Sequence, residues 1–355
     1  VALTFFDPGR LARDLYAAAG QDAGLGGRGD GISRVLAPLV PHDGLSLVAT
    51  DPATGLGLGS FSFWHEYAPS LATDLVMHRY RGGDPYRPAA LAGLPTPATV
   101  VGPPGDGPSD PRVREILTAN GAGSELRLLL QDRHGVWGAL GLLRSAGACP
   151  FGPDDLRRAA RIGPPLVAAL RRYVTEGPLL PVAPALRAGV VTVGPDHSIR
   201  AVSPQAREWL DRLSSPSGHV FPEWVPDAFL VALSLAARSR AHDAGAWVPL
   251  VCAPPVVCGR WMTLQGQPLD ADATGDVALV LQGAAGDLVM PSFCAWYGIT
   301  PRERATLGEL RAGAAVKQIA RRLDLSPYTV NDHLKALFRK TGADGRDELI
   351  AALTR

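Results

Sequence analysis

The first 290 residues alternate short apolar runs with helical stretches, whereas the last fifty-five are helical throughout. A short helix is predicted over 10–19. The Gly-rich GLGGRGDG at 24–31 follows no strand and opens no βαβ unit, so it reads as a flexible connection and not a phosphate loop. GLSLVATD and GLGLGSFSFW read as strands split by a Pro/Gly turn at 51–55, with a helix over 70–78 after them. The Pro- and Gly-rich stretch 82–110 is expected to be largely loop. Two strands then span 124–145, joined by a turn at 132–135. Residues 152–174 carry a 3.6-residue apolar period interrupted by Gly163–Pro164–Pro165, which predicts a kink or two successive helices.

TEGPLLPVAP, at 175–184, marks a boundary. Beyond it, 187–213 offers strand, turn, strand and helix, the helix starting at Ser203 before Pro204. A helix over 228–241 and strands near 247–252, 258–264 and 276–281 complete a second unit. The expected organisation is two α+β domains, 1–178 and 179–290, followed by an all-α domain at 291–355.

That last segment accepts four helices with their caps. Thr300, Pro301 and Glu303 form a capping-box start, and Gly313 a stop. A short second helix over 316–323 turns Ile319, Ala320 and Leu323 inward. The third starts on Ser326 and Pro327 and runs to Thr341, with Val330, Leu334 and Leu337 on one buried face. A fourth starts near Arg346, turning Leu349 and Ile350 inward. Such a small core leaves one helix free to enter the major groove of double-stranded DNA.

Composition changes this picture at one point. The apolar and charged fractions, 46% and 19%, are those of folded globular protein. The net charge of +1 hides an asymmetry, because residues 291–355 carry eleven Lys/Arg against seven Asp/Glu, including all three lysines. A basic module on a mildly acidic body implies that the module meets a polyanion. Asn331 suits adenine, Lys335 guanine, and Asp332 acts in register or specificity. Lys317, Arg321, Arg322, Thr329, Arg339 and Lys340 are the expected backbone contacts.

TPRER at 300–304, Ile319–Ala320, Leu323, Ser326, Thr329–Val330, His333, Leu337, Lys340, Gly342 and Arg346 together resemble the LuxR-type helix-turn-helix family of bacterial transcription factors. The resemblance implies a cytoplasmic regulator that binds a palindromic operator as a homodimer, with Asn331, Asp332 and Lys335 at the bases and a contact to RNA polymerase. Two positions depart from the pattern. Asn331 stands where Lys is frequent, and Ala315–Val316 replace a polar pair at the start of the second helix, which should therefore begin less firmly.

RLLLQDRHGVWGALGLLR with FGPDDL resembles a GAF domain, and GVVTVGPDHSIRAVSPQAREWL a degenerate PAS domain. Both resemblances are topological. They imply a small-molecule effector, or else dimerisation and protein interaction alone, with the helix over 154–173 as a candidate dimer element.

Other chemistry is sparse. Cys252 and Cys258 lack a second ligand pair at metal-site spacing and read as buried. Cys149 and Cys294 fit no disulfide framework. His65–Glu66, His134 and His242–Asp243 read as surface groups, and Phe61, Phe63, Trp64, Tyr67, Trp209 and Trp224 as core, with the lining of a pocket as the alternative. No nucleophile–base–orienter set can be assembled, no phosphoacceptor receiver is evident, and no leader or membrane span is found. No enzyme, cofactor or metal is expected.

Overall fold

The structure, a computed structural model, describes residues 6–20, 27–80, 88–102, 110–214, 224–241 and 250–354. It opens with α1 (Pro8–Gly20) and α2 (Gly27–Leu36), then the hairpin β1 (Gly44–Thr50) and β2 (Gly57–His65). Next come α3 (Pro69–Tyr80), α4 (Pro88–Ala92), β3 (Ala98–Val101), α5 (Pro111–Ala119), the hairpin β4 (Ala122–Asp132) and β5 (Gly135–Ser145), and α6 (Pro153–Thr175). The five strands form one antiparallel sheet in the order β2-β1-β5-β4-β3. One face packs Leu45, Leu47, Leu126, Leu128 and Leu140 against Ile162, Leu166 and Leu170 of α6. The other carries Leu129 and Leu143 against Leu71, Leu75, Val113 and Leu117. Burial on both faces explains why β4 and β5 read as nearly continuous apolar runs.

Three expectations for this region are corrected. The glycines from Gly27 onward sit in α2 and not in a flexible connection. They allow close approach: a Cβ on Gly29 would lie 1.8 Å from the Trp64 carbonyl oxygen on β2. Within the expected loop 82–110, α4 and β3 form. The edge strand β3 tolerates the preceding Pro97, whose carbonyl still accepts the Leu129 amide at 2.7 Å. Lastly, of the two outcomes expected at Gly163–Pro164–Pro165, two successive helices do not form: α6 is one element. Two amide donors are missing there, but burial of Ile162, Gly163, Pro165, Leu166 and Val167 holds the helix on the sheet.

The second unit contains β6 (Gly189–Val193), β7 (Ile199–Val202), α7 (Pro204–Ser214), α8 (Trp224–Arg240), β8 (Leu250–Ala253), α9 (Pro255–Cys258), β9 (Met262–Pro268) and β10 (Val277–Gly283). Its sheet order, β7-β6-β10-β9-β8, repeats that of the first. Val191, Val193, Leu264, Leu279 and Leu281 pack on Trp209, Leu230 and Leu233. Trp209, Phe63, Cys252 and Cys258 are buried as expected, and His134 is exposed. His65 pairs with Asp30 at 2.6 Å. The side chains of Phe61 and Trp224, His242–Asp243, and the start of the strand expected from 247 lie outside the described residues.

A 3-10 turn (Gly286–Leu288) and α10 (Met290–Trp296) lead to the carboxy-terminal helices α11 (Pro301–Arg311), α12 (Val316–Arg322), α13 (Pro327–Thr341) and α14 (Arg346–Thr354). Helix α10 is an anchor that the sequence reading did not separate. Trp296 meets Trp137 of β5 edge-on at 5.1 Å, while the Arg171 guanidinium lies 4.5 Å from the Trp137 ring centroid and donates to the Trp296 carbonyl at 3.3 Å. Beside it, the buried Asp51 carboxylate accepts from the Ser292 hydroxyl (2.8 Å), the Cys252 amide of the second unit (2.9 Å) and its own Ala53 amide (3.0 Å).

Burial pushes the Asp51 carboxyl above the usual carboxylate range, against the pull of these three donors. Its ionised form is therefore disfavoured in the folded chain. The stability of the wild type relative to Asp51→Asn should be greatest below about pH 4, the unfolded value. It should then decline as the pH rises through the raised folded-state value. Urea unfolding of both proteins across pH checks this; a difference that grows with pH contradicts it.

Candidate nucleic-acid interface

Local rules build the carboxy-terminal helices in the places the sequence predicts. Thr300 Oγ1 accepts the Glu303 amide at 3.3 Å, and Glu303 Oε2 accepts the Thr300 amide at 2.7 Å, closing the capping box on α11. At α12 only half of such a box exists: Gln318 Oε1 accepts the Ala315 amide at 2.8 Å, and Ala315 has no hydroxyl to return. The turn out of α12 places Asp324 in the left-handed region (φ 54°), with the Leu325 amide on the Ala320 carbonyl at 2.8 Å. Ser326 then caps α13 through the Thr329 amide at 3.0 Å, and Gly342 (φ 73°) ends it.

The inward stripe of α13, Val330, Leu334, Leu337 and Thr341, is buried against Leu307, Leu310, Ile319, Ala320 and Leu349. Asn331, Asp332, Lys335 and Arg339 lie on the opposite, exposed side. Asp332 and Lys335 face each other at 3.8 Å, one helical turn apart and open to solvent. Lys317 and Arg321 project from α12 and, like Arg339, form no ion pair among the described residues. Arg322 is exposed but bonded to Glu309 at 2.6 Å. The Thr329 hydroxyl sits 2.9 Å from that of Ser326. A short helix supporting a capped, outward-facing one is the geometry that fits a major groove.

Comparison with known proteins agrees. Residues 298–353 match the family described as bacterial regulatory proteins, luxR family. The carboxy-terminal domain is a LuxR-type helix-turn-helix. A curated relative, the monoamine regulon transcriptional regulator of Klebsiella aerogenes, is 45% identical over 53 residues, which span 15% of this chain and 23% of that protein. Among solved structures, the phage VqmA–DPO complex aligns over 49% of this chain and 84% of its own, with 17% identity and a TM-score of 0.19.

Lys340 of the LuxR-type domain, expected at the DNA backbone, is engaged within the domain. Its ammonium donates to Glu303 Oε2 and to the Gly298 carbonyl, both at 2.7 Å, and its side chain is 24% exposed. The reason is electrostatic. Glu303 is buried by its capping role, and an unpaired carboxylate there would be unfavourable. Burial pushes the Glu303 carboxyl up, but the bonds from Lys340 and Thr300 outweigh it and hold it below the usual range. Sequence reading also passed over Tyr328, although its spacing from Asn331 and Lys335 carries the signal.

No group of three metal-ligating side chains occurs among the described residues. Burial pushes the Cys252 thiol up to about 12 and those of Cys258 and Cys294 to about 11, which keeps all three protonated at neutral pH. No helix among the described residues is long and apolar enough to cross a membrane.

Lys340→Ala should therefore lower domain stability by about 1–3 kcal/mol, the price of a stranded buried acceptor. The salt dependence of DNA binding by the folded protein should stay as in the wild type. Urea unfolding and salt-titrated binding check both; a shallower salt slope with unaltered stability would restore Lys340 as a phosphate contact.

Proposed function

We propose that this chain is a sequence-specific, DNA-binding transcriptional regulator, acting as a homodimer on a palindromic operator, with amino-terminal domains that sense a small molecule. The observation that carries the DNA reading is the exposed stripe of α13. Asn331, Asp332 and Lys335 point outward while the helix is held by a fully formed core on its other side. Lys317, Arg321, Arg322, Thr329 and Arg339 supply contacts to the phosphates, and the regulator touches RNA polymerase when bound.

The amino-terminal part divides into a GAF-like domain (1–178) and a PAS-like domain (179–290), ahead of the reader at 291–355. The shared strand order of the two sheets supports that division. Support for an effector comes from the first sheet. Beneath α3 and α5, Glu125 and Arg127 form a buried ion pair at 2.8 Å, with the Tyr67 hydroxyl 3.5 Å from Glu125. A buried pair adds little stability by itself, and its polar atoms suit exchange with a polar effector. A second reading makes both domains scaffolds for dimerisation; the dense filling around Trp137, Leu140, Leu166 and Leu170 favours it.

Two substitutions test the reader. Asn331→Ala should cost roughly tenfold or more at the preferred operator and relax preference at one base position. Arg321→Ala should weaken all sequences alike and make the salt slope shallower by about one unit. Equal, sequence-independent losses in quantitative binding titrations would remove Asn331 from base reading. For the sensor, thermal shift against a metabolite panel should find a saturable stabiliser that alters operator affinity and loses its effect in Glu125→Gln. A panel that shifts neither melting nor binding favours the scaffold reading.

A further inference from the structure

Tyr328 is the exposed large apolar side chain of the LuxR-type domain, 76% accessible where the domain's other large apolar groups are wholly or partly covered. It lies in the first turn of α13, three, four and seven residues before Asn331, Asp332 and Lys335, so all four share one face. The hydroxyls beside it are already engaged: Ser326 Oγ takes the Thr329 amide at 3.0 Å and lies 2.9 Å from Thr329 Oγ1. Tyr328 is left as the long side chain that the helix start presents outward.

Its chemistry complements its neighbours. Asn331, Asp332 and Lys335 offer hydrogen-bond partners for adenine, cytosine and guanine. None offers apolar surface to the thymine 5-methyl, the one apolar group that a base displays in the major groove. In helix-turn-helix docking the amino-terminal residues of the second helix approach the base edges.

We propose that Tyr328 is a specificity-determining residue whose ring packs on a thymine methyl in the operator half-site. The inference rests on the DNA-binding reading above and extends it by one base. It assigns the ring, and not the hydroxyl, as the reading group; a phenol donating to phosphate would carry no sequence information.

The test uses the full chain and an operator enriched by it from random duplexes. Each thymine of that operator is then replaced by uracil, which removes only the methyl. One position per half-site should weaken wild-type binding about fourfold, as expected for one methyl-sized group no longer buried. Tyr328→Phe should keep that sensitivity. Tyr328→Ala should bind more weakly and no longer distinguish uracil from thymine there, with circular dichroism confirming its fold.

A wild type indifferent to uracil at every position overturns the proposal while leaving DNA binding intact. So does a Tyr328→Phe variant that loses affinity equally on all sequences, which would make the hydroxyl a phosphate contact. Failure to enrich any sequence overturns the DNA-binding reading itself.

Discussion

The placement of the LuxR-type domain depends on one burial event, the seating of α10 against the first domain. Trp296 and Trp137 meet edge to face, Arg171 covers Trp137 and bonds the Trp296 carbonyl, and Phe293 meets Tyr297 at a tilt of 41° with ring centroids 4.6 Å apart. Fully burying one such aromatic is worth roughly 3 kcal/mol relative to leaving it in water. The apolar cluster that starts at α1 and α6 accordingly runs without a break through α10 into Leu307, Leu310 and the inward stripe of α13.

Asp51 gives this junction its polar specificity. Apolar packing is tolerant of sliding; a carboxylate satisfied by three donors from three segments is not. Its oxygens fix the hairpin turn between β1 and β2, the strand β8 and the helix α10 in one arrangement. On the other side of α10, Arg311 bonds Asp287, adding a tie between the 3-10 turn and α11. A carboxyl buried so deeply holds the register, in the sense that a wrong arrangement would leave it with fewer partners.

Legibility in the sequence followed the range of the forces involved. The capping box at Thr300 and Glu303, Pro327 after Ser326, and the Val330–Leu334–Leu337 stripe are decided within four residues of chain, and each stands where the pattern places it. Apart from β3, the strands of the two sheets were legible, but their order depends on pairing between distant segments. What stayed hidden was set by tertiary contact. Gly29 looked like linker because its purpose, close passage beside Trp64, lies 35 residues away. Pro164 and Pro165 left two successive helices open because the surface that keeps α6 together is the sheet beneath it. Lys340 looked free because its partner, Glu303, is buried by a cap on another helix. Helix α5 was missed despite a local signal, Asp110 before Pro111, with Asp110 accepting the Arg112 amide at 2.9 Å.

The continuity of the core across α10 bears on how such a reader would meet its operator. A domain hung on a loose tether samples many separations, and two copies of it can adapt to half-sites at several spacings. Here the helix that leads into the LuxR-type domain is itself part of the interior of the amino-terminal body. In the proposed dimer, operator spacing would become a dimension of the whole body, and any event that tilts the body would re-set the ruler.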